Sequence, residues 1–210
     1  MRVKSTWHKT QVKTIDDIAG ALAFNSWRIT KNHLEDLINE AFIIEKAQVF
    51  DIISEYLCFL IQCIDRLVFN KLDAKQRQLL IIKLTKQLAI YFHENKQDRI
   101  GPGKFWKDFI QIYNARSQDY ANYEFTNNKI NYHFLRYFAE KIKKAMTHAD
   151  SEWIVQQIIE IQAPKAFKSI KKSVKNLVAV EKIISKTEQI KNKKNKIPRS
   201  KRKSTYPDLQ

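Results

Sequence analysis

Two histidines, His33 and His93, are the side chains best suited by position to hold a metal ion or a haem. Each falls on a segment with helical periodicity, and helical bundles build such sites from imidazoles on facing helices. The supporting patterns are missing, because the sequence has no Glu-x-x-His pair, no His-Glu-x-x-His and no Cys-x-x-Cys-His. We therefore predict that both histidines are hydrogen-bonded core residues, and the sequence identifies no metal ligand and no cofactor.

Two cysteines, Cys58 and Cys63, are the only thiols in the chain. They are five positions apart, about 140° around an ideal helix, so they cannot share a metal ion or form a disulfide within that helix. We predict that they are small core residues in a reducing compartment. The chain has no nucleophile elbow, and the GPGK run at 101 to 104 is not a P-loop. Catalysis has no positive support, and we lean against an enzyme.

Arg116, Asp119 and Tyr123 are polar residues that continue the inward arc of a predicted helix beginning near Phe105. A charged group on an inward arc is costly unless it is paired, which leaves two interpretations. Arg116 and Asp119 either form a structural ion pair, with each other or with neighbouring tyrosines, or they line a polar pocket with Tyr123 and His133. A frayed helix end at this point would remove the need for either.

The positive charge of the chain is concentrated in its last 46 residues. From 165 to 210 there are 13 Lys and 2 Arg against three acidic residues, so this stretch carries +12 of the formal +16. The preceding 164 residues carry only +4. This split predicts a nearly balanced body followed by a cationic extension that contacts an anionic partner or stays solvated.

The densest part of the extension is a basic cluster between residues 191 and 203. It consists of Lys191, Lys193, Lys194, Lys196, Arg199, Lys201, Arg202 and Lys203. Each Lys or Arg placed on a phosphate releases a condensed counterion, so the cluster is typical of contact with nucleic acid or another anionic surface. The alternative is a solubility tail, because Lys, Asn and Ile are abundant throughout the chain. Only Tyr206 lies near the cluster, so base stacking is not predicted there.

Residues 165 to 186 have the pattern of a basic amphipathic helix. An apolar stripe covers an arc of about 120°, and lysines occupy the adjoining arc. The stripe consists of Phe167, Ile170, Val174, Leu177, Val178 and Ile184. It can pack back on the body, dock on a partner protein, or lie on an anionic membrane, and the lack of Trp weakens the last of these.

These side chains are positioned by helices. Three glycines and four prolines leave almost no turn chemistry for a sheet protein, and 22 of the 24 aromatic residues precede residue 165. We predict an all-α protein with one bundle domain of about six helices over residues 1–164. A basic amphipathic helix over 165–186 and a disordered basic tail over 187–210 follow it.

Caps, breaks and periodicity place the helices. A box of Thr14 with Asp17 opens the first helix, which ends near Asn39, and Asp73 caps the third. Helix two spans about 45–70, helix three ends near 94, helix four follows the turn at 101–103, helix five spans about 128–146, and helix six opens at 150 or 151. Pro164 ends or kinks helix six. Helices two and three are apolar nearly all round, which predicts a hairpin at the centre of the body.

The inward arc of helix one is the clearest periodic signal. It consists of Ile15, Ile18, Ala19, Leu22, Ala23, Ser26, Ile29, His33 and Leu37.

Three classes of function remain open. The first is a non-enzymatic adaptor or regulatory protein whose cationic C-terminal segment contacts an anionic partner. The alternatives are a nucleic-acid-associated protein that binds phosphates through its basic tail, and a bundle that binds a small ligand or cofactor. No segment is apolar enough for a transmembrane helix, and residues 1–14 lack the apolar core of a secretory signal, so we expect a cytoplasmic protein.

Overall fold

The computed structural model describes residues 13–39, 44, 48–126, 129–146 and 151–178, and it shows an all-α bundle. Its helices are α1 (Ile15–Asn39), α2 (Gln48–Val68), α3 (Ala74–Ile100), α4 (Phe105–Ala121), α5 (Tyr132–Ala145), α6 (Ser151–Gln157) and α7 (Ala163–Leu177). Two short antiparallel strands, β1 (Phe125–Thr126) and β2 (Lys129–Ile130), lie between α4 and α5, and a π-helical turn, Ile158–Gln162, joins α6 to α7. The predicted fold class is confirmed.

The first helix begins and ends where the sequence predicts. The Thr14 hydroxyl oxygen accepts a hydrogen bond from the Asp17 amide at 3.1 Å, and the Asp17 carboxylate accepts one from the Thr14 amide at 3.0 Å. These reciprocal bonds satisfy amide groups that have no partner within the helix. All nine residues of the predicted inward arc are buried, so the predicted register of this helix is confirmed.

Helix α2 forms the centre of the bundle. Seventeen of its 21 residues are buried, and it packs against α1, α3, α4, α5 and α7. Its Phe59 ring stacks on Phe138 of α5 with centroids 4.2 Å apart, while Tyr56 meets the same Phe138 ring edge-on at 4.9 Å. The prediction of a central buried helix is confirmed for α2.

Helix α3 lies at the outside of the bundle, which differs from the predicted central hairpin. Its cap is as predicted, since Asp73 Oδ1 accepts a hydrogen bond from the Gln76 amide at 2.8 Å. However, Leu79, Ile82 and Ile90 are 42 to 46% exposed. The helix continues to Ile100, well beyond the predicted end near residue 94, and stops where Gly101 adopts a φ of 108° that favours glycine.

The connection between α4 and α5 was not predicted to contain strands. In the structure, β1 pairs with β2 as a two-residue ladder, with Phe125 opposite Ile130. Asn131 then caps α5, because its side-chain oxygen accepts a hydrogen bond from the Phe134 amide at 2.8 Å. The Phe125 ring also meets the Phe167 ring of α7 edge-on, with centroids 6.0 Å apart.

Pro164 does not end the helical segment; a π-helical turn precedes it, and the chain continues as α7. An α-helical turn would bring the proline ring against the carbonyl four residues earlier. The π-helical turn before it is wider, and the Ala163 amide bonds to the Ile158 carbonyl, five residues back. Pro164 itself lies in the first turn of α7, where a missing N–H costs little.

Helix α7 belongs to the same core as the preceding helices. Ala166, Ile170 and Val174 are fully buried, and the helix packs against α1 and α2. A single cluster of buried apolar residues extends from Ile15 to Val178. The domain boundary predicted after residue 164 therefore does not coincide with a boundary in the packing. The reason is the apolar stripe of α7, which fills space between α1 and α2.

Within the described residues, none of the helices combines the length and the apolar character that crossing a lipid bilayer requires.

Candidate functional site

The charged residue Arg116 pairs across the bundle with Glu55 of α2. Its Nε lies 2.8 Å from Glu55 Oε2, and its Nη2 lies 2.6 Å from Glu55 Oε1. These hydrogen bonds hold the pKa of Arg116 above its usual value. The structural ion pair considered for Arg116 is present, but its main partner is Glu55, whereas Asp119 Oδ2 lies 3.9 Å from Arg116 Nη1.

Asp119 instead fixes a tyrosine of α5. The Tyr137 hydroxyl donates a hydrogen bond to the Asp119 carboxylate. Burial, followed by this bond to an anion, raises the pKa of Tyr137 well above its ordinary value, so the phenol stays protonated. Glu55, Arg116, Asp119 and Tyr137 thus form a connected polar chain from the central helix to the surface.

A groove of about 510 Å³ lies where this chain reaches the surface of α5. Its aromatic lining consists of Tyr123, His133 and Tyr137. The structure therefore brings Tyr123 and His133 of the proposed pocket together, while Arg116 and Asp119 do not line the groove. Asp119 contacts it only through Tyr137. We call this feature the α5 groove.

The remaining lining of the α5 groove is mostly basic. It consists of Arg136, Lys141, Lys143 and Lys144, with Glu140 as the single acidic residue. Arg136 and Glu140 are 3.9 Å apart and about half exposed, so this pair is weak and leaves the groove cationic. The Lys141 ammonium lies 4.8 Å from the centroid of the Tyr137 ring.

These cations were not predicted as a site, because the periodic signal of helix five is its apolar inward arc. That arc consists of Ile130, Phe134, Tyr137, Phe138, Ile142 and Ala145. At 100° per residue, His133 and the charged residues of the groove share an arc of about 160°, most of which faces outward; of these residues, Lys141 alone falls within the inward arc. This outward arc was a readable signal of a basic helix face.

The outward surface of α7 forms a second basic surface, which we call the α7 basic face. It consists of Lys165, Lys168, Lys171, Lys172 and Lys175, all of them exposed. Helix α7 contains no acidic residue. The face therefore has no internal counterion from its own helix.

The helices of the bundle differ in the sign of their charge. Helix α1 contains four acidic and two basic residues, whereas α5 and α7 together contain nine basic residues and one acidic residue. Both basic helices pack against α2. Helix α3 is also basic, with six basic and two acidic residues, but two of its cations, Arg77 and Lys83, pair with Asp65 and Asp16. Among the described helices, α7 has the largest excess of basic residues.

The apolar stripe of α7 faces inward. Ile170, Val174 and Val178 are buried, and Phe167 and Leu177 are partly buried against the core. This is the arrangement that the packing alternative expects, and in it the stripe presents no continuous surface to a partner. Ile184, the last member of the stripe, lies outside the described residues.

His33 lies at the junction between α1 and the π-helical turn. Its Nδ1 is hydrogen-bonded to Gln162 Oε1, and its ring stacks on Tyr56 with centroids 5.7 Å apart. Burial is the main cause that lowers the pKa of His33 below 6.5, so the imidazole is neutral at physiological pH. Gln162 is fully buried, and its Nε2 has no hydrogen-bond partner among the described residues.

The prediction of a hydrogen-bonded core histidine is wrong for His93. Its side chain is half-buried, its Nδ1 has no hydrogen-bond partner among the described residues, and its ring contacts Phe105 with centroids 6.3 Å apart. Both thiols, Cys58 and Cys63, are fully buried, and burial raises their pKa well above the usual value, which keeps them protonated and unreactive. Across the described part of the chain, no three His, Cys, Asp or Glu side chains are grouped as a metal ion would require.

A second groove, of about 520 Å³, lies between α2, α3 and α4. Its charged groups are largely satisfied within the bundle. Arg77 makes a two-pronged pair with Asp65, at 2.7 and 2.6 Å, and Arg66 donates to the Tyr120 carbonyl at the end of α4. The net charge of this groove is therefore small compared with that of the α5 groove.

The basic cluster at 191–203 lies outside the described residues. Comparison with protein-family models, with curated proteins and with solved structures gives no match for this chain.

Proposed function

We propose that the protein binds nucleic acid through the phosphate backbone, along the α7 basic face and the α5 groove. The observation that carries this proposal is the charge of the two helices, which have nine basic residues against one acidic residue. Each cation that meets a phosphate releases a condensed counterion, and this release favours binding without reading the base sequence.

The fold gives these cations fixed positions. Burial of Ile170 and Val174 against the body orients α7, so its five lysines project from one side of a rigid element. The chain that follows α7 contains the basic cluster at 191–203, and the last 46 residues together carry +12. The α7 basic face and the cluster therefore lie near the same end of the chain and have the same sign.

The packing of α7 favours nucleic acid over a lipid surface as the anionic partner. A helix that lies in a membrane interface must insert an apolar face among the acyl chains. In α7 that face is occupied by the core, since Ala166, Ile170 and Val174 are fully buried. The same burial removes the described part of the stripe as a docking face for the proposed adaptor. What remains exposed on α7 is mainly lysine.

The proposal is tested by binding to a fluorescently labelled 20-base-pair duplex, followed by anisotropy over a range of salt concentrations. We expect the logarithm of the affinity to fall linearly with the logarithm of salt concentration. Replacing Lys168, Lys171 and Lys172 with Gln should make that slope shallower by about 2 to 3, because each phosphate contact contributes about 0.9. These side chains are exposed, so the thermal melting should not change.

The matched control replaces three exposed cations of α3, Lys75, Lys86 and Arg99, with Gln. It removes the same charge from a helix outside the proposed surface and should change the slope by less than about 1. Equal losses in the two triple variants would mean that only net charge matters. Absence of binding at low salt would refute the proposed function. Deleting residues 187–210 measures the share that the basic cluster adds.

A further inference from the structure

We propose that the α5 groove binds a single strand and stacks a base on its aromatic end, an inference that rests on the nucleic-acid binding proposed above. The groove has a volume of about 510 Å³, within the range of about 300 to 1,000 Å³ that is typical of small-ligand pockets. It joins aromatic rings and cations in one depression, and these are the two features that bind single-stranded nucleic acid.

The aromatic end is formed by Tyr123, His133 and Tyr137. Tyr123 follows the end of α4, and His133 lies in the first turn of α5, so the hairpin between the helices brings them together. The rings of Tyr123 and Tyr137 are 5.3 Å apart and inclined by 41°. His133 is exposed and Tyr123 is half-buried, so both lie where a base can reach them.

The polar chain behind the groove holds its wall in place. Tyr137 is fixed at its hydroxyl by Asp119 and at its ring by the edge of Tyr120, with centroids 4.8 Å apart. Tyr120 is fully buried. A wall that is already ordered loses little conformational entropy when a base stacks on it.

The cationic end lies further along the same helix. From His133 to Lys141 is eight residues, or about 12 Å along an α-helix, and Lys144 is less than one turn beyond. A base on the aromatic end therefore leaves its phosphates beside Lys141 and Lys144. The Lys141 ammonium over the Tyr137 ring joins the two ends of the groove.

This geometry distinguishes a single strand from a duplex. In a duplex the faces of the bases are covered by their neighbours, and the phosphates alone reach the protein, whereas a single strand can turn a base face outward. On the α7 basic face, the Phe167 ring is partly buried against the core and lies beneath Lys171, so we expect this face to bind both through phosphates alone. The aromatic end of the α5 groove adds a contact that only the single strand can make.

The test uses the full chain and compares a labelled strand of 20 thymidines with the labelled duplex under the same salt conditions. Replacing Tyr123 with Leu should weaken binding of the single strand about 5- to 150-fold, the range for loss of one base–aromatic stack. Duplex binding should change less than twofold, and the salt slope should not change. Tyr113→Leu, a half-buried tyrosine of the second groove, is the matched control and should leave both affinities unchanged.

The variant His133→Ala keeps the test decisive if Tyr123→Leu fails to fold, because the His133 side chain is exposed. It should weaken the single strand selectively and leave the melting temperature unchanged. Equal weakening of both nucleic acids, or no weakening of either, would refute stacking in the groove. If the Lys168, Lys171 and Lys172 variant loses binding while these aromatic variants do not, the inference fails and the proposed function stands. If the lysine variant binds normally, the proposed function fails first.

Discussion

Removing the guanidinium of Arg116 tests whether the polar chain behind the α5 groove is held by its pair with Glu55. In the variant Arg116→Met, the methionine fills part of the same volume but donates no hydrogen bond. Glu55 is then left in a side chain that is only 9% exposed, without the three contacts of 2.6 to 3.1 Å that satisfied its carboxylate. A buried charge that loses its partner is strongly destabilising.

The expected cost can be worked out from the exposure of the pair. Removing one partner of a buried ion pair costs about 3 to 5 kcal/mol, and Arg116 is 19% exposed, so we expect the lower part of that range, about 3 kcal/mol. For a chain of this size, that corresponds to a fall of about 6 to 12 °C in the melting temperature. Replacing both residues, as Glu55→Leu with Arg116→Met, removes the unpaired charge and should lie within about 1 kcal/mol of the native protein.

Urea unfolding followed by tryptophan fluorescence gives the free energies, and the double-mutant cycle gives the coupling between the residues. The control is Lys31→Met, which breaks a pair with Glu35 that is about half exposed and should cost less than about 0.5 kcal/mol. A loss below about 1 kcal/mol in Arg116→Met would show that the carboxylate is not held in a buried position. A double variant as unstable as the sum of the single variants would show that the two side chains act independently.

Three further outcomes concern α7 and its junction with α1. Ile170→Ala should cost about 2 to 4 kcal/mol of unfolding free energy in urea, whereas the exposed Lys172→Ala should stay within about 0.5 kcal/mol, because only the first leaves a cavity. A chain ending at residue 164 should melt without cooperativity and bind a hydrophobic dye, while a chain ending at residue 178 melts cooperatively, since α7 covers α1 and α2. The folded pKa of His33 lies below its unfolded value of about 6.5, so its contribution to stability is complete above pH 7.5 and declines as the pH falls below 6.5. In urea titrations, the unfolding free energy should therefore fall less between pH 7.5 and pH 5.5 for His33→Gln than for the native protein. The substitution should release no metal.

Local signals in the sequence predicted the helices well. The capping residues Thr14, Asp17 and Asp73 act within one helical turn, and their hydrogen bonds are present as predicted. The inward arc of α1 and the central position of α2 follow from apolar periodicity alone. Caps and apolar periodicity can be recognised in the sequence because the residues that form them are close together in the chain.

Pairings between distant residues could not be predicted in the same way. Arg116 is 61 positions from Glu55, and Glu55 lies in the most apolar stretch of the chain, where it looks like an interruption. The predicted central position of α3 was wrong for a related reason. When a helix is apolar on most of its circumference, the sequence does not show which side packs against a neighbour, and in α3 Leu79 and Ile82 remain exposed. Both features depend on the tertiary arrangement.

The site was predicted in part for the same physical reason. Tyr123 and His133 were named as lining of one possible polar pocket, and in the structure they line one groove. Arg116 and Asp119 were placed with them by helical phase, but Arg116 pairs with Glu55 and Asp119 accepts a hydrogen bond from Tyr137, so neither lines the groove. Helical phase predicts the direction in which a side chain leaves its helix, but it does not predict which partner on another helix that side chain will bind.

The amphipathic pattern of α7 did not decide its role, because the helix has an apolar side and a basic side that can each make a different contact. Its apolar side fills the core, and its basic side is thereby exposed in a fixed orientation. Folding and the proposed polyanion binding therefore use opposite faces of the same helix, and a substitution on one face should have a different effect from a substitution on the other. Loss of Ile170 removes stability, and with it the ordered array of lysines; loss of Lys172 removes a charge from an intact fold. This separation is the reason that binding and stability, measured on the same variants, can assign each face its role.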